Sequence, residues 1–138
     1  MFGVLHVFTE NHRAQAEVTI QNKKDYCAKH GYKYIEINSH KYLDLSKGDI
    51  PCTGLPPANI AIGWSKIKLL ENILRDNPTI DWIFWIDTDA LFMDFNVKLE
   101  DLVDDESFFI VGRDCNGINV GTFFIRNCEK SLRFLKDI

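Results

Sequence analysis

The sequence lacks several things, and each absence removes a class of function. No stretch approaches the roughly 18 consecutive apolar residues of a transmembrane helix. The N-terminus, MFGVLHVFTENHR, has no basic opening, and its short apolar run contains His6, so it reads as a first β-strand and not as a secretory signal. There is no basic tail and no excess of positive charge. Lys and Arg number 16 against 20 Asp and Glu, for a net charge of −4. Electrostatic binding to nucleic acid or to an anionic membrane surface is therefore not favoured. An anionic small ligand would need a cation or a few placed Lys and Arg side chains. The four cysteines, Cys27, Cys52, Cys115 and Cys128, form no CxxC and no Cys/His cluster, which argues against structural zinc. Cys27 and Cys128 fall in helical patterns and read as buried thiols of a reduced compartment. The expectation is a soluble, cytoplasmic chain with no membrane segment.

What is present is the alternation of an α/β domain. FGVLHVF (2–8) reads as a buried strand. Residues 13–30 carry Ala16, Ile20 and Cys27 among polar residues, an amphipathic helix stopped by Gly31, which takes the left-handed conformation without steric cost. KYIEIN (33–38) reads as a second strand. Residues 39–63, with Gly48, Pro51, Gly54, Pro56 and Pro57, read as a long loop, a length often associated with function. In GWSKIKLLENILRDN, Trp64, Ile67, Leu70 and Leu74 share one helical face, and Asn77-Pro78 ends the helix. WIFWI (82–86) is apolar throughout, as in a strand buried on both faces. LEDLVDD reads as a short helix, SFFIVG (107–112) and GTFFIRN (121–127) as strands, and CEKSLRFLKDI as a helix. Strands alternating with helices imply a mostly parallel central sheet flanked by helices, whose ligands bind beyond the carboxyl ends of the strands.

Asp87-Thr88-Asp89 sits at such an end. Two carboxylates about 4 Å apart repel by roughly 4 kcal/mol at an effective dielectric near 20, and a divalent cation removes that cost. Oxygen ligands without thiolate suit Mg²⁺ or Mn²⁺, which can also bridge the phosphates of a nucleoside diphosphate. The plain alternative is that Asp87 and Asp89 are turn and helix-cap residues. The motif by itself does not name a reaction.

Three stretches together do. GWSKIKLLENIL, DWIFWIDTDALFMD and GINVGTFFIRNCEKSLRFL resemble the Trp-x-Lys helix, the aromatic strand with DxDA, and the NxGxFLIRNCxxSLxxL segment of one family. It is the group of GT-A (Rossmann-like) nucleotide-sugar glycosyltransferases that includes the xyloglucan α-xylosyltransferases and the fungal α-galactosyl- and α-mannosyltransferases. The stretches span residues 63–94 and 117–135, roughly a third of the chain. The resemblance implies a retaining transferase that moves a sugar from a UDP-sugar donor to a glycan acceptor with Mn²⁺ or Mg²⁺. By position, Asp87 and Asp89 would bind the metal, and Thr9, Lys66, Asp87 and Asp89 the nucleotide-sugar. Asp114 and Asn119 fall where the family places donor-sugar and acceptor contacts and would be the catalytic residues, Asp114 in a polar or nucleophilic role, and Gly121 would allow close backbone approach. The family also allows the Golgi lumen, given an anchor outside this chain. It supplies a third metal ligand, a His, well downstream of NxGxFLIRN, whereas His6, His12, His30 and His40 all lie upstream. Residues 1–138 are accordingly expected to be a single GT-A domain, incomplete at the C-terminus.

Simpler assignments stand beside these. Lys66 also fits a solvated helix position, Asp114 and Asn119 fit turn positions, Trp64, Trp82 and Trp85 fit core positions, and Arg126 fits a structural ion pair. Two other functions use the same features. One is a degenerate domain that only binds nucleotide-sugar. The other is a phosphohydrolase of the haloacid dehalogenase type, against which stand Leu91 where Thr or Val is expected and the position of the motif late in the chain.

Overall fold

The structure, a computed structural model, describes residues 1–38 and 58–138; within it the side chains of residues 58–65 are not described. The expectations for Cys52, His40, Trp64 and most of the long loop fall outside the described residues.

The chain runs β1 (Phe2–Phe8), α1 (Arg13–His30), β2 (Lys33–Asn38), α2 (Ala58–Asp76), β3 (Trp82–Ile86), β4 (Phe109–Asp114), β5 (Gly117–Arg126) and α3 (Glu129–Asp137). Short 3₁₀ turns lie at Glu10–His12 and Leu99–Leu102. The five strands form one sheet in the order β2-β1-β3-β5-β4. β1 is parallel to β2 and to β3, while β5 is antiparallel to both β3 and β4. The sheet is therefore mixed, not mostly parallel. Its parallel half is the one built by helical crossovers, and the antiparallel half follows from the tight β4–β5 hairpin.

Some boundaries differ from the sequence expectation. The segment 39–63 is not all loop, because α2 begins at Ala58. β4 and β5 start at Phe109 and Gly117 rather than at 107 and 121. The turn-rich stretch 114–120, DCNGINV, hides the hairpin: the Asp114 carboxylate accepts the Asn116 N–H, and Gly117 takes a φ of 116°. Cys128 is not a buried helical thiol. It is the N-cap of α3 and only partly buried, its Sγ 3.4 Å from Ser131 Oγ. Among the described residues Arg126 makes no ion pair with a carboxylate; its guanidinium donates to the Asp105 main-chain oxygen at 2.9 Å and lies over the Trp82 ring.

Other expectations hold to the residue. Gly31 closes α1 with a φ of 71° and its N–H on Cys27 O. α2 ends at Asp76, before the Asn77-Pro78 pair that disfavours a further helical turn. Strand alternation then sorts the core into two layers. Leu5, Ile83, Trp85, Phe123 and Ile125 face α2 and α3, against Leu69, Leu70, Ile73 and Leu135. Val4, Trp82, Ile86 and Phe124 face α1, against Tyr26 and Cys27. β3 has partners on both edges and buried residues on both faces, which accounts for WIFWI being apolar throughout. Among the described residues, no helix is long and apolar enough to cross a membrane.

Candidate functional site

β3 ends at Ile86, and the acidic turn begins at once. Alternation carries Asp87 onto the same face as Ile83 and Trp85, the face covered by α2. There Lys66, projecting from α2, donates to Asp87 Oδ1 at 2.9 Å and to Val120 O at 3.3 Å. Trp85 Nε1 donates to the same Oδ1 at 2.7 Å. The Lys66 ammonium also lies 4.8 Å from the centre of the Trp85 ring. One carboxylate oxygen is thus fixed by two donors, and the donors are stacked on one another. The ion pair is partly exposed, with side chains 26% and 36% accessible. Pairs of that kind contribute about 1 kcal/mol or less to stability. Its consequence is orientation of the acid more than strength of the fold.

Asp87 Oδ2 makes no hydrogen bond among the described residues and faces Gly121. A Cβ placed on Gly121 would lie 3.5 Å from that oxygen and 3.0 Å from Asn119 Oδ1. The Asp87 N–H bonds Gly121 O at 2.9 Å. Gly121 is therefore where the β5 backbone approaches the acid. Asp89, two residues on, is exposed, and its carboxylate has no hydrogen-bond partner among the described residues.

The remaining expected residues form two groups. Asp114 and Asn119 lie together on the β4–β5 hairpin, where Asn119 Nδ2 donates to Asp114 Oδ2 at 2.9 Å. Asn119 Oδ1 accepts the Gly121 N–H at 2.8 Å, which brings Asn119 beside the acid. Both residues serve the turn, and Asn119 also borders the site. Thr9 follows β1 on the same carboxyl edge of the sheet, its hydroxyl 2.8 Å from His12 Nδ1.

Three residues of α1 had not been singled out from the sequence. Lys23 is fully buried, and its ammonium donates to Asp87 O at 2.9 Å, Thr88 O at 3.2 Å and Thr19 Oγ1 at 3.1 Å. Thr19 Oγ1 lies 2.7 Å from Thr88 O. Asn22 grips Phe92 twice, donating to its oxygen at 3.0 Å and accepting its N–H at 2.8 Å. Burial pushes the Lys23 amine down to about 8, against the opposing pull of the Asp89 and Asp87 carboxylates. A signal was available: Ala16, Thr19, Lys23, Tyr26 and Cys27 recur at helical spacing, which places a lysine on the buried stripe. Trp85 occupies the core, stacked on Phe123 at 5.7 Å. Its Asp87 bond adds a second role.

Among the described residues, no three His, Cys, Asp or Glu side chains converge as a metal cluster. The donor set at the turn is one oxygen of Asp87 and the carboxylate of Asp89. Two oxygen donors at an open strand end fit a hard divalent cation that keeps water or phosphate in its other positions. A cavity of about 540 Å³ opens beside Lys66, lined by Ile67, Leu70, Val120, Phe123 and Phe134. Its wall is almost wholly apolar, in contrast to the polar Asp87–Asp89 rim.

Residues 6–107 match the galactosyl transferase GMA12/MNN10 family. An uncharacterized α-1,2-galactosyltransferase of Schizosaccharomyces pombe is 31% identical over 80% of this chain and 36% of its own length. Galactomannan galactosyltransferase 1 of Cyamopsis tetragonoloba is 30% identical over 83% of this chain and 25% of its own. The probable α-1,6-mannosyltransferase MNN10 of Saccharomyces cerevisiae is 26% identical over 94% and 37%. The chain thus spans little more than a third, or less, of the curated relatives it matches. In fold, it superposes on a glycosyltransferase involved in glycosylation of the major capsid of PBCV-1, with a TM-score of 0.72 and 16% identity, over 99% of this chain and 63% of that one. That likeness supports the glycosyltransferase α/β fold that the three sequence stretches implied. The phosphohydrolase alternative is left without support, since a match over more than half of its length shows that the chain belongs to the galactosyl transferase GMA12/MNN10 family.

Proposed function

We propose that this chain forms the donor-binding part of a transferase that moves a sugar from a nucleoside diphosphate, UDP, to a hydroxyl of a glycan acceptor with retention of configuration. The observation that carries the reading is the Asp87–Lys66–Trp85 arrangement at the end of β3 with Asp89 open beside it. Asp87 Oδ2 and the Asp89 carboxylate would hold Mn²⁺ or Mg²⁺. When bound, the cation supplies charge stabilisation to the diphosphate as it leaves.

The residues themselves do the rest. Lys66 has three donor hydrogens, and two are directed at Asp87 and Val120, which leaves one for a phosphate oxygen. Trp85 and Lys66 keep Asp87 from rotating, so Oδ2 stays turned to the rim. Gly121 leaves room for the donor between Asp87 and Asn119. Thr9 borders the nucleotide, and Asn119, braced by Asp114, borders the donor sugar and acceptor. In the transfer, the bond from the anomeric carbon to the β-phosphate oxygen breaks with its electron pair going to phosphate. The acceptor oxygen attacks the same face of that carbon, and its proton passes to the departing phosphate oxygen. No protein nucleophile is required, and the products are UDP and the glycoside.

The test is transfer or donor hydrolysis with UDP-sugars and Mn²⁺, comparing the unmodified protein with Asp89→Ala. Removing a direct ligand is expected to lower turnover on the order of 100-fold or more, beyond the range seen for residues that only support ligands. Full activity in Asp89→Ala would sink the metal assignment. A chain that binds UDP with Mn²⁺ in calorimetry but never turns over would instead support a nucleotide-sugar-binding role.

A further inference from the structure

The segment 87–92, DTDALF, belongs to no strand or helix, yet it carries both acids of the site. Its backbone is held largely from one direction. On the α1 side, the carbonyls of Asp87 and Thr88 point at Lys23, Thr88 O also meets Thr19, and Phe92 is gripped at both N–H and C=O by Asn22. Thr19, Asn22 and Lys23 sit at i, i+3 and i+4 on one helical face, so a single rigid element reaches both ends of the turn. Thr88 Oγ1 adds a bond to Val7 O at 3.0 Å, and Ala90 N–H closes on Asp87 O at 3.2 Å.

A neutral side chain would satisfy those carbonyls at lower cost. Burying an ammonium carries a desolvation penalty of several kcal/mol unless its donors are met and opposite charge lies near. Here all three donors are met, by two carbonyls and a hydroxyl. No carboxylate touches Lys23 among the described residues, and the nearby negative charge is that of the acidic turn itself. The buried charge is thus matched to the two carboxylates through the backbone that bears them.

We propose that Lys23 is a positioning residue for the acidic turn: with Thr19 and Asn22 it draws the main-chain carbonyls of residues 87, 88 and 92 toward α1, and thereby turns the Asp87 and Asp89 side chains outward at a preset spacing and offsets their mutual repulsion before any cation arrives. The inference rests on the proposed metal role of those acids, but its core is a statement about the ligand-free chain. Lys23 touches no substrate. It acts through Asp87 and Thr88.

The experiment has two arms, on the full chain. In the ligand-free arm, amide hydrogen exchange is followed at Ala90 and Phe92 in the unmodified protein, in Lys23→Met, and in Cys27→Ala. Cys27 is buried on the same helix, in the cluster that Ala90 and Phe92 pack against, and its side chain makes no hydrogen bond to residues 87–92, so Cys27→Ala reports loosening of α1 and its packing without loss of the clamp. Lys23→Met is expected to speed exchange at Ala90 and Phe92 well beyond Cys27→Ala. In the second arm, Mn²⁺ is titrated calorimetrically with and without UDP. Lys23→Met is expected to weaken Mn²⁺ by about tenfold or more, the range for residues that hold a ligand in place, while Cys27→Ala leaves it unchanged. Exchange and Mn²⁺ affinity in Lys23→Met equal to those of Cys27→Ala would overturn the proposal. Should Lys23→Met not fold, Thr19→Val, which removes the hydroxyl shared by Lys23 and Thr88, must shift both readouts in the same direction, and a failure to do so overturns it equally. Absence of Mn²⁺ binding by the unmodified protein would defeat the metal reading, with the exchange arm then deciding whether the clamp exists.

Discussion

The acidic turn lies between two lysines, one from each layer of the domain, and they treat it differently. Lys66, on α2, is partly exposed and bonds a carboxylate oxygen. Lys23, on α1, is wholly buried and bonds main-chain carbonyls. Alternation along β3 creates the difference: odd residues face α2, so the Asp87 side chain goes there and its backbone is left to α1. A cation at the rim can serve a ligand as well as an acid. A cation in the interior can serve only the shape of the chain. The same residue type is therefore placed for chemistry on one face and for geometry on the other.

Breaking the rim side should give the largest effect on turnover. Lys66→Met removes the ammonium to which the proposed function gives the leaving diphosphate, and on that proposal transfer is expected to fall on the order of 10²-fold, typical for loss of one charge-stabilising donor. Thermal unfolding should move little, because the exposed pair adds little to the fold. A large fall in melting temperature with normal turnover would reverse the assignment of the two lysines.

The interior side predicts a pH effect. His6 lies on the α1-facing side of β1, fully buried, with Nδ1 2.9 Å from Tyr34 Oη and Nε2 without a partner among the described residues. Burial, reinforced by Lys23 and Lys24, lowers its pKa to about 4 from 6.5. The folded state takes up the proton less readily than the unfolded state, so stability falls as the pH drops from about 6.5 through 4. The loss reaches on the order of 3 kcal/mol at most. In His6→Phe, urea denaturation at pH 7 and pH 4.5 should show a smaller difference between the two pH values than the unmodified protein does.

The next effect tests the seam between the faces. Gly121→Ala would set a Cβ 3.0 Å from Asn119 Oδ1 and 3.5 Å from Asp87 Oδ2. The amide must give way, and donor KM is expected to rise about tenfold, the scale of roughly 1.4 kcal/mol, with the sheet intact by circular dichroism. The smallest change is Trp85→Phe. It keeps the stack on Phe123 but removes the Nε1 bond to Asp87. Its effect on transfer is expected to be the smallest of the set, while stability falls by about 2–3 kcal/mol, from the lost hydrogen bond and the cavity left where the larger indole packed. A modest loss of Mn²⁺ affinity should accompany it.

Periodicity and punctuation made much of this molecule legible in advance. The run FGVLHVF, the stop at Gly31, the strand KYIEIN and the apolar WIFWI appear as read, because burial on a helix or strand face writes itself into local spacing. Asp87 and Asp89 were legible too, since two acids at the end of a buried strand stand out against it. The β4–β5 hairpin was less so, because Asp114, Asn119 and Gly121 look like turn residues and their pairing is set by side-chain bonds across the turn. Cys128 departs from the helical expectation because a cap and a first helical residue share the same sequence neighbourhood.

The sequence alone therefore determined the strand-and-helix order and the acids at the end of β3, since these depend on neighbours a few residues apart. The tertiary structure decided the meaning of the lysines. Lys23 and Lys66 are separated from the acidic turn by 64 and 21 residues, and only the stacking of α1 and α2 on opposite faces of the sheet sets one against the backbone and the other against the carboxylate. That choice rests on which face each side chain reaches, a property of the packed layers that local spacing does not carry.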